Sequence, residues 1–128
     1  MAEEKINQKK TIKTFRDLIV WQKSIQFVSD IYFITKSFPR EELFSLINQI
    51  RRSAVSIPSN IAEGFGRHSR KDYLRFLKIA IASTFEIQTQ IEISKNLRFI
   101  SEDVYNKIFE SSREIERMLS SLILKLRA

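Results

Sequence analysis

The stretch QIRRSAVSIPSNIAEGFGR, residues 49–67, decides the fold. Ile50, Ala54, Ile57, Ile61 and Phe65 recur at steps of three and four, the spacing of one helical face. Yet Pro58 stands in the interior. It has no N–H, so the Ala54 carbonyl loses its helical partner, at ~3 kcal/mol in an ordinary helix interior. The same stretch carries a polar row: Gln49, Arg52, Ser56, Asn60, Glu63 and Arg67. At 100° per residue the row spans about 80° and flanks the apolar stripe rather than opposing it. A row so placed faces a neighbouring helix or a neighbouring subunit. The simplest reading of Pro58 is a bend that wraps the helix around a core. Ser56 and Asn60 then offer the disturbed backbone alternative hydrogen bonds.

Upstream, Phe38-Pro39 breaks the chain and opens this second helix. Glu41 and Glu42 fall in its first turn, at the positive end of the helix dipole. Its stripe begins at Leu43, Leu46 and Ile47. Gly64 and Gly66 end it, as residues that tolerate the left-handed region do. Before the break, a first helix is expected over residues 17–37. Leu18, Trp21, Ile25, Val28 and Tyr32 form its leading row, and Val20, Phe27, Ile31 and Ile34 a second. Together they cover more of the helix than a lone bundle needs. Residues 1–13 read as a flexible polar tail that ends in a capping segment at Thr14, with Asp17 three positions on.

Downstream, Ser69 with Asp72 reads as a capping box for a third helix to about Leu97. Leu74, Leu77, Ile81, Phe85 and Ile91 form one row on it; Phe76, Ala80, Ser83 and Ile87 form another. Ala80, Ala82 and Ser83 allow close helix approach. Ser101 caps a fourth helix with the row Val104, Ile108, Ile115, Met118 or Leu119, Leu122 and Leu126. Short loops between long helices predict an all-α, antiparallel up-down-up-down four-helix bundle, kinked in its second helix at Pro58. It forms a single domain over residues 14–128.

Composition agrees. The chain has 128 residues, enough for one domain with a real core. With 43% apolar and 29% charged residues it falls in the globular class. Two Gly and two Pro leave few turns and favour long helices. The absence of cysteine excludes disulfides and thiolate metal sites and points to the cytoplasm. No apolar run is long enough for a membrane span.

The net charge is +7, and it is uneven. From Arg51 to Lys78, Arg51, Arg52, Arg67, Arg70, Lys71, Arg75 and Lys78 face only Glu63 and Asp72. Such an excess is either a set of solvated helix faces or the footprint of a polyanion. The hairpin between helices two and three also serves as a ruler. With its turn near residues 68–69, Arg52 should stand level with Glu86, and Glu63 with Arg75, within reach of charged hydrogen bonds.

Catalytic signatures are missing. His68 is the one histidine, in a basic turn. No serine has a G-x-S-x-G context, no Glu-x-x-His pair suits a di-iron bundle, and no glycine-rich phosphate loop occurs. No cofactor, metal or catalytic residue is expected.

The segment RRSAVSIPSNIAEGFGR (51–67) resembles the signature of the bacterial four-helix-bundle family encoded in 23S rRNA intervening sequences. FRDLIVWQKS (15–24), IYFITKSFP (31–39), SRKDYLRFLKIA (69–80) and the Ser83–Glu86 pair resemble further elements of it. The likeness covers about residues 15–95. The family often has glycine before the serine of the third helix; here that residue is Ala82. The resemblance implies a ring-shaped homopentamer of antiparallel four-helix bundles. A similar fold serves as the accessory protein of diversity-generating retroelements, a basic pentamer that binds nucleic acid and a reverse transcriptase. Carried onto this chain, Arg51, Arg52, Ser56, Asn60, Glu63, Gly64, Arg67 and Glu86 are implied as structural or interface residues.

Two functions are therefore expected to compete. One is a basic oligomer that binds RNA or another polyanion through phosphate contacts from Arg67, Arg70, Lys71, Arg75 and Lys78. In that reading Gln49, Arg51, Arg52, Ser56, Asn60, Glu63 and Glu86 form a structural or interface row. No base-reading motif occurs, so sequence specificity should be low. The other is a protein-interaction scaffold whose basic surface docks an acidic partner.

Overall fold

A computed structural model describes residues 11–128; the first ten residues of the expected polar tail lie outside them. Four helices follow one another: α1 (Ile19–Thr35), α2 (Leu46–Phe65), α3 (Arg70–Asn96) and α4 (Glu102–Arg127). Each packs on its neighbour in sequence, and α4 returns to α1, which closes an up-down-up-down bundle. The most intimate contact is between α2 and α3.

The helix starts differ from expectation in two places. Thr14 and Asp17 do form a capping box. Asp17 Oδ2 accepts from the backbone N–H of Lys13 (2.8 Å) and Thr14 (3.0 Å). The box caps a single 3-10 turn, Phe15–Asp17, and α1 starts only after it. Pro39 likewise opens a 3-10 turn, Arg40–Glu42, and α2 begins at Leu46. Glu42 still serves that helix. Its Oε1 accepts from Ser45 Oγ (2.7 Å) and the Leu46 N–H (3.4 Å), where the first turn has donors to spare. Leu43, expected in the core stripe, is left exposed beside Phe44.

The core is a column of Ile, Leu and Phe running through all four helices. On α1 it is the second expected row that is buried: Val20, Phe27 and Ile31, continued by Ser24 and Thr35. Ile25 and Tyr32 of the leading row face out. Position around the helix is set by two neighbours at once, α2 and α4, and the 20/24/27/31/35 face is the one buried between them. On α2 the stripe Ile47, Ile50, Ala54, Ile57 and Ile61 is buried as expected. On α3 the two rows merge into one face through Leu77, Ala80, Thr84, Ile87 and Ile91, leaving Phe85 exposed. On α4 the seam is Ile108, Ser112, Ile115, Leu119 and Ile123; Leu119 rather than Met118 takes the central position. Each large side chain removed from water in this way contributes roughly 1.5–3 kcal/mol.

Buried hydroxyls on these faces act as small core residues. Ser24, Thr84, Ser94 and Ser112 each donate to a carbonyl one turn back in their own helix, at 2.6–3.0 Å. No polar partner from another helix is needed, so neighbouring helices can approach closely.

Pro58 is buried within an unbroken α2. Asn60 Nδ2 donates to the Ser56 carbonyl (2.8 Å) and to Ser56 Oγ (2.9 Å). Asn60 thus braces Ser56 beside Pro58, while the Ala54 carbonyl, whose helical partner is missing, receives neither of these bonds.

Gly64 is needed for space. Neither glycine has a positive φ, contrary to the reading of both as left-handed terminators. A Cβ on Gly64 would stand 2.7 Å from Phe76 Cβ and 3.1 Å from Tyr73 Cδ1. The left-handed position belongs instead to Arg98, φ 65°, which ends α3. There Phe99 N bonds the Ser94 carbonyl and Arg98 N the Lys95 carbonyl, the paired bonds of a Schellman motif.

Opposite effects are expected at these two positions. Gly64→Ala should lower unfolding free energy by about 1–2 kcal/mol, since overpacking outweighs the gain in helix propensity. Arg98→Gly should raise it by about 1 kcal/mol by relieving the side chain's left-handed strain. Urea unfolding followed by fluorescence of Trp21 measures both; equal stability of the two variants would contradict this account.

Candidate nucleic-acid interface

The sequence GFGRHSRKD (64–72) makes the turn from α2 to α3. The Gly66 N–H reaches the Ala62 carbonyl (3.2 Å) and the Arg67 N–H the Gly64 carbonyl (3.1 Å). Ser69 Oγ accepts from the Asp72 N–H at 3.0 Å and caps α3. Arg70 and Lys71 then occupy the first turn of α3, where the helix dipole disfavours cations. Only Asp72 offsets them there. The turn is thus more cationic than helix stability asks for.

Two arginines bracket one ring at this end. The guanidinium carbons of Arg67 and Arg75 lie 4.7 and 4.6 Å from the centroid of buried Phe76. Arg67 pairs with Glu63 at 2.8 Å, and Arg75 with Asp72 at 3.8 Å. Arg70, Lys71 and Lys78 are exposed and form no ion pair among the described residues. The five candidate cations therefore share one end and flank of the α2–α3 hairpin, two of them partly neutralised and three uncompensated.

The polar row of α2 divides by role. Ser56 Oγ and Ser83 Oγ are 2.8 Å apart across the α2–α3 seam. This contact confirms the hairpin register. The two charged pairs expected from that register do not form. Glu63 takes Arg67 in the turn just past its own helix, Arg75 takes Asp72 on α3, and Arg52 and Glu86 form no ion pair among the described residues. Partners one turn away on one helix lie on adjacent ridges and need less ordering than a cross-helix pair. Gln49, Arg52 and Glu86 are exposed; Asn60 braces Ser56.

Arg51 turns the other way, to α1. Its Nε donates to Thr35 Oγ1 (2.9 Å), its Nη2 reaches the Tyr32 carbonyl (3.4 Å), and the guanidinium sits 4.5 Å from the Tyr32 ring centroid. The sequence reading missed this tie and the groove beside it, which holds Tyr32, Phe44, Arg51, Arg52 and Val55 in about 660 Å³. Phe44 is 89% exposed. A signal existed: Phe44 falls off the 43/46/47/50 stripe.

A second unforeseen cluster joins α3 to α4. The Tyr105 hydroxyl donates to Glu92 Oε1 at 2.6 Å, and Lys95 Nζ lies 4.2 Å from the Tyr105 ring centroid and 3.6 Å from Glu92 Oε2. The bond to Glu92 holds the phenol protonated and raises its pKa to about 12; the same bond lowers that of Glu92. Among the described residues no group of His, Asp and Glu side chains is placed to hold a metal ion. No helix among them is long and apolar enough to cross a membrane.

What the fold and surface define is a basic, antiparallel four-helix bundle with a cationic hairpin end. A profile of the 23S rRNA-intervening sequence protein family matches residues 16–121, and the chain belongs to that family. Among solved structures, it is similar to a protein of unknown function from the S23 ribosomal protein family of Bacteroides thetaiotaomicron. The two are 32% identical with a TM-score of 0.77, over 82% of this chain and 95% of that one. Among curated proteins none matches. Neither likeness indicates an enzymatic family.

The Tyr105 cluster has a pH signature. A phenol whose folded pKa lies above its unfolded value of 10.0 contributes stability below pH 10, which is lost as pH rises toward about 12. Glu92, with its pKa lowered, contributes above the ordinary carboxylate range and loses that contribution in acid. Tyr105→Phe should therefore be less stable than the parent near pH 7, and the gap should narrow toward both extremes. A gap independent of pH would exclude the pairing.

Proposed function

We propose that this protein is a non-catalytic, basic, self-associating bundle that binds RNA through phosphate contacts. The observation that carries this reading is the cluster of uncompensated cations, Arg70, Lys71 and Lys78, beside Arg67 and Arg75 at the α2–α3 end. Arg70 and Lys71 add their charge where the exposed N–H groups of α3 already favour an anion. A net charge of +7 draws polyanions to the surface at long range, and assembly multiplies it. The bundle offers fixed cations and no groove-reading element, so binding follows phosphate spacing and shape rather than base order.

Self-association is supported by large apolar side chains left in water: Ile25 and Phe33 on α1, Phe85 on α3 and Leu124 on α4. A ring of five is the stoichiometry that the resemblance implies. The same exposed residues support a second reading, a scaffold for another protein, and a cytoplasmic setting suits either.

Labelled RNA titrated at rising salt tests the proposal. Affinity should fall steeply with salt, and replacing Arg70, Lys71 or Lys78 singly by glutamine should reduce the log–log slope by about one where that side chain contacts a phosphate. Absence of binding at low salt, or affinity indifferent to salt, refutes the RNA reading. Solution mass tests assembly: the parent should exceed one chain, and Phe33→Asp should lower the assembled fraction. A monomeric parent refutes it.

A further inference from the structure

We propose that the groove between α1 and the start of α2 is a stacking site for the bases of single-stranded RNA. This rests on the RNA reading above and places the bases apart from the cationic turn. The groove combines the two chemistries that single strands require, aromatic faces and fixed positive charge.

Phe44 supplies the first. It is 89% exposed, far beyond what the fold needs, and it stands on the short turn between Glu42 and Leu46 rather than on a mobile end. Tyr32 and Val55, 39% and 40% exposed, continue the apolar wall. Arg51 and Arg52 supply the second. Arg51 is held in place by Thr35 and the Tyr32 carbonyl, over the Tyr32 ring, so its charge is preorganised at little further cost in entropy. Arg52 is exposed and forms no ion pair among the described residues. No carboxylate lines the groove, and Asn48 adds an amide that can both donate and accept. Its volume of about 660 Å³ admits one or two nucleotides.

An acidic peptide would satisfy the two arginines but would not need flat rings; a base needs both. The backbone of a strand seated here would pass Arg52, whereas the hairpin cations lie beyond the far end of α2, in the turn and on α3.

The test compares a labelled oligouridine with an abasic oligomer of the same length and charge. The parent should bind the base-bearing strand roughly tenfold more tightly. Phe44→Ala, a change at a solvent-exposed side chain, should bring this ratio to near one. Arg52→Gln should weaken both strands and flatten the salt dependence. Lys71→Gln should weaken both and keep the ratio. A parent ratio near one, or a ratio unchanged by Phe44→Ala while Lys71→Gln still weakens binding, overturns the groove and leaves the RNA reading standing. A change in solution mass on Phe44→Ala assigns the groove to a second copy and overturns the proposal. No binding of either strand at low salt overturns both.

Discussion

The close approach of α2 to α3 is the constraint on which the rest depends. Small residues meet at two points along it: Ser56 with Ser83, and Gly64 against Phe76 and Tyr73. At Gly64 the backbone of α2 lies within van der Waals reach of Phe76 and Tyr73, with no room for a single methyl group. Packing at this density has two consequences. The register of the hairpin is fixed to within a residue, and polar side chains at the seam must find partners inside it. The Ser56–Ser83 contact and the Asn60 brace meet that demand.

Pro58 belongs to the same logic. Its ring is buried among the core side chains of α2, which offsets part of the hydrogen bond lost at the Ala54 carbonyl. The polar residues around it are mutually bonded, which makes them structural. Charges that do not fit the seam are displaced to its rim. Glu63 closes on Arg67 across the end of α2, while Arg52 and Glu86 are left to the solvent. The rim, not the seam, therefore carries the charged side chains left to solvent.

A surface built this way suits a partner recognised by charge and shape. The hairpin end concentrates cations around one ring and one helix start, and the groove beside Arg51 adds exposed aromatic surface on a rigid support. His68, the one histidine, sits exposed in the turn, and Glu63 and Asp72 are each matched with an arginine.

Helix identity and order were legible in the residues because a 3.6-residue period and a cap are local properties: Ser69 and Ser101 each cap a helix, though Ser69 without the reciprocal bond of a capping box, and the α2 stripe is buried from Ile47 to Ile61. The cationic cluster was legible too, since charge is additive along a chain. Local signals failed where two neighbours compete for one helix. On α1 both apolar rows are plausible cores, and only the joint contact with α2 and α4 selects Val20, Phe27 and Ile31. The role of Gly64 and the failure of Glu63 to meet Arg75 and of Arg52 to meet Glu86 depend on distances between α2 and α3, which no local pattern gives. The amino-acid order by itself determined the helices, their succession and their charge; tertiary packing alone decided which faces meet, because burial is settled by the neighbours a side chain touches and not by the side chain itself.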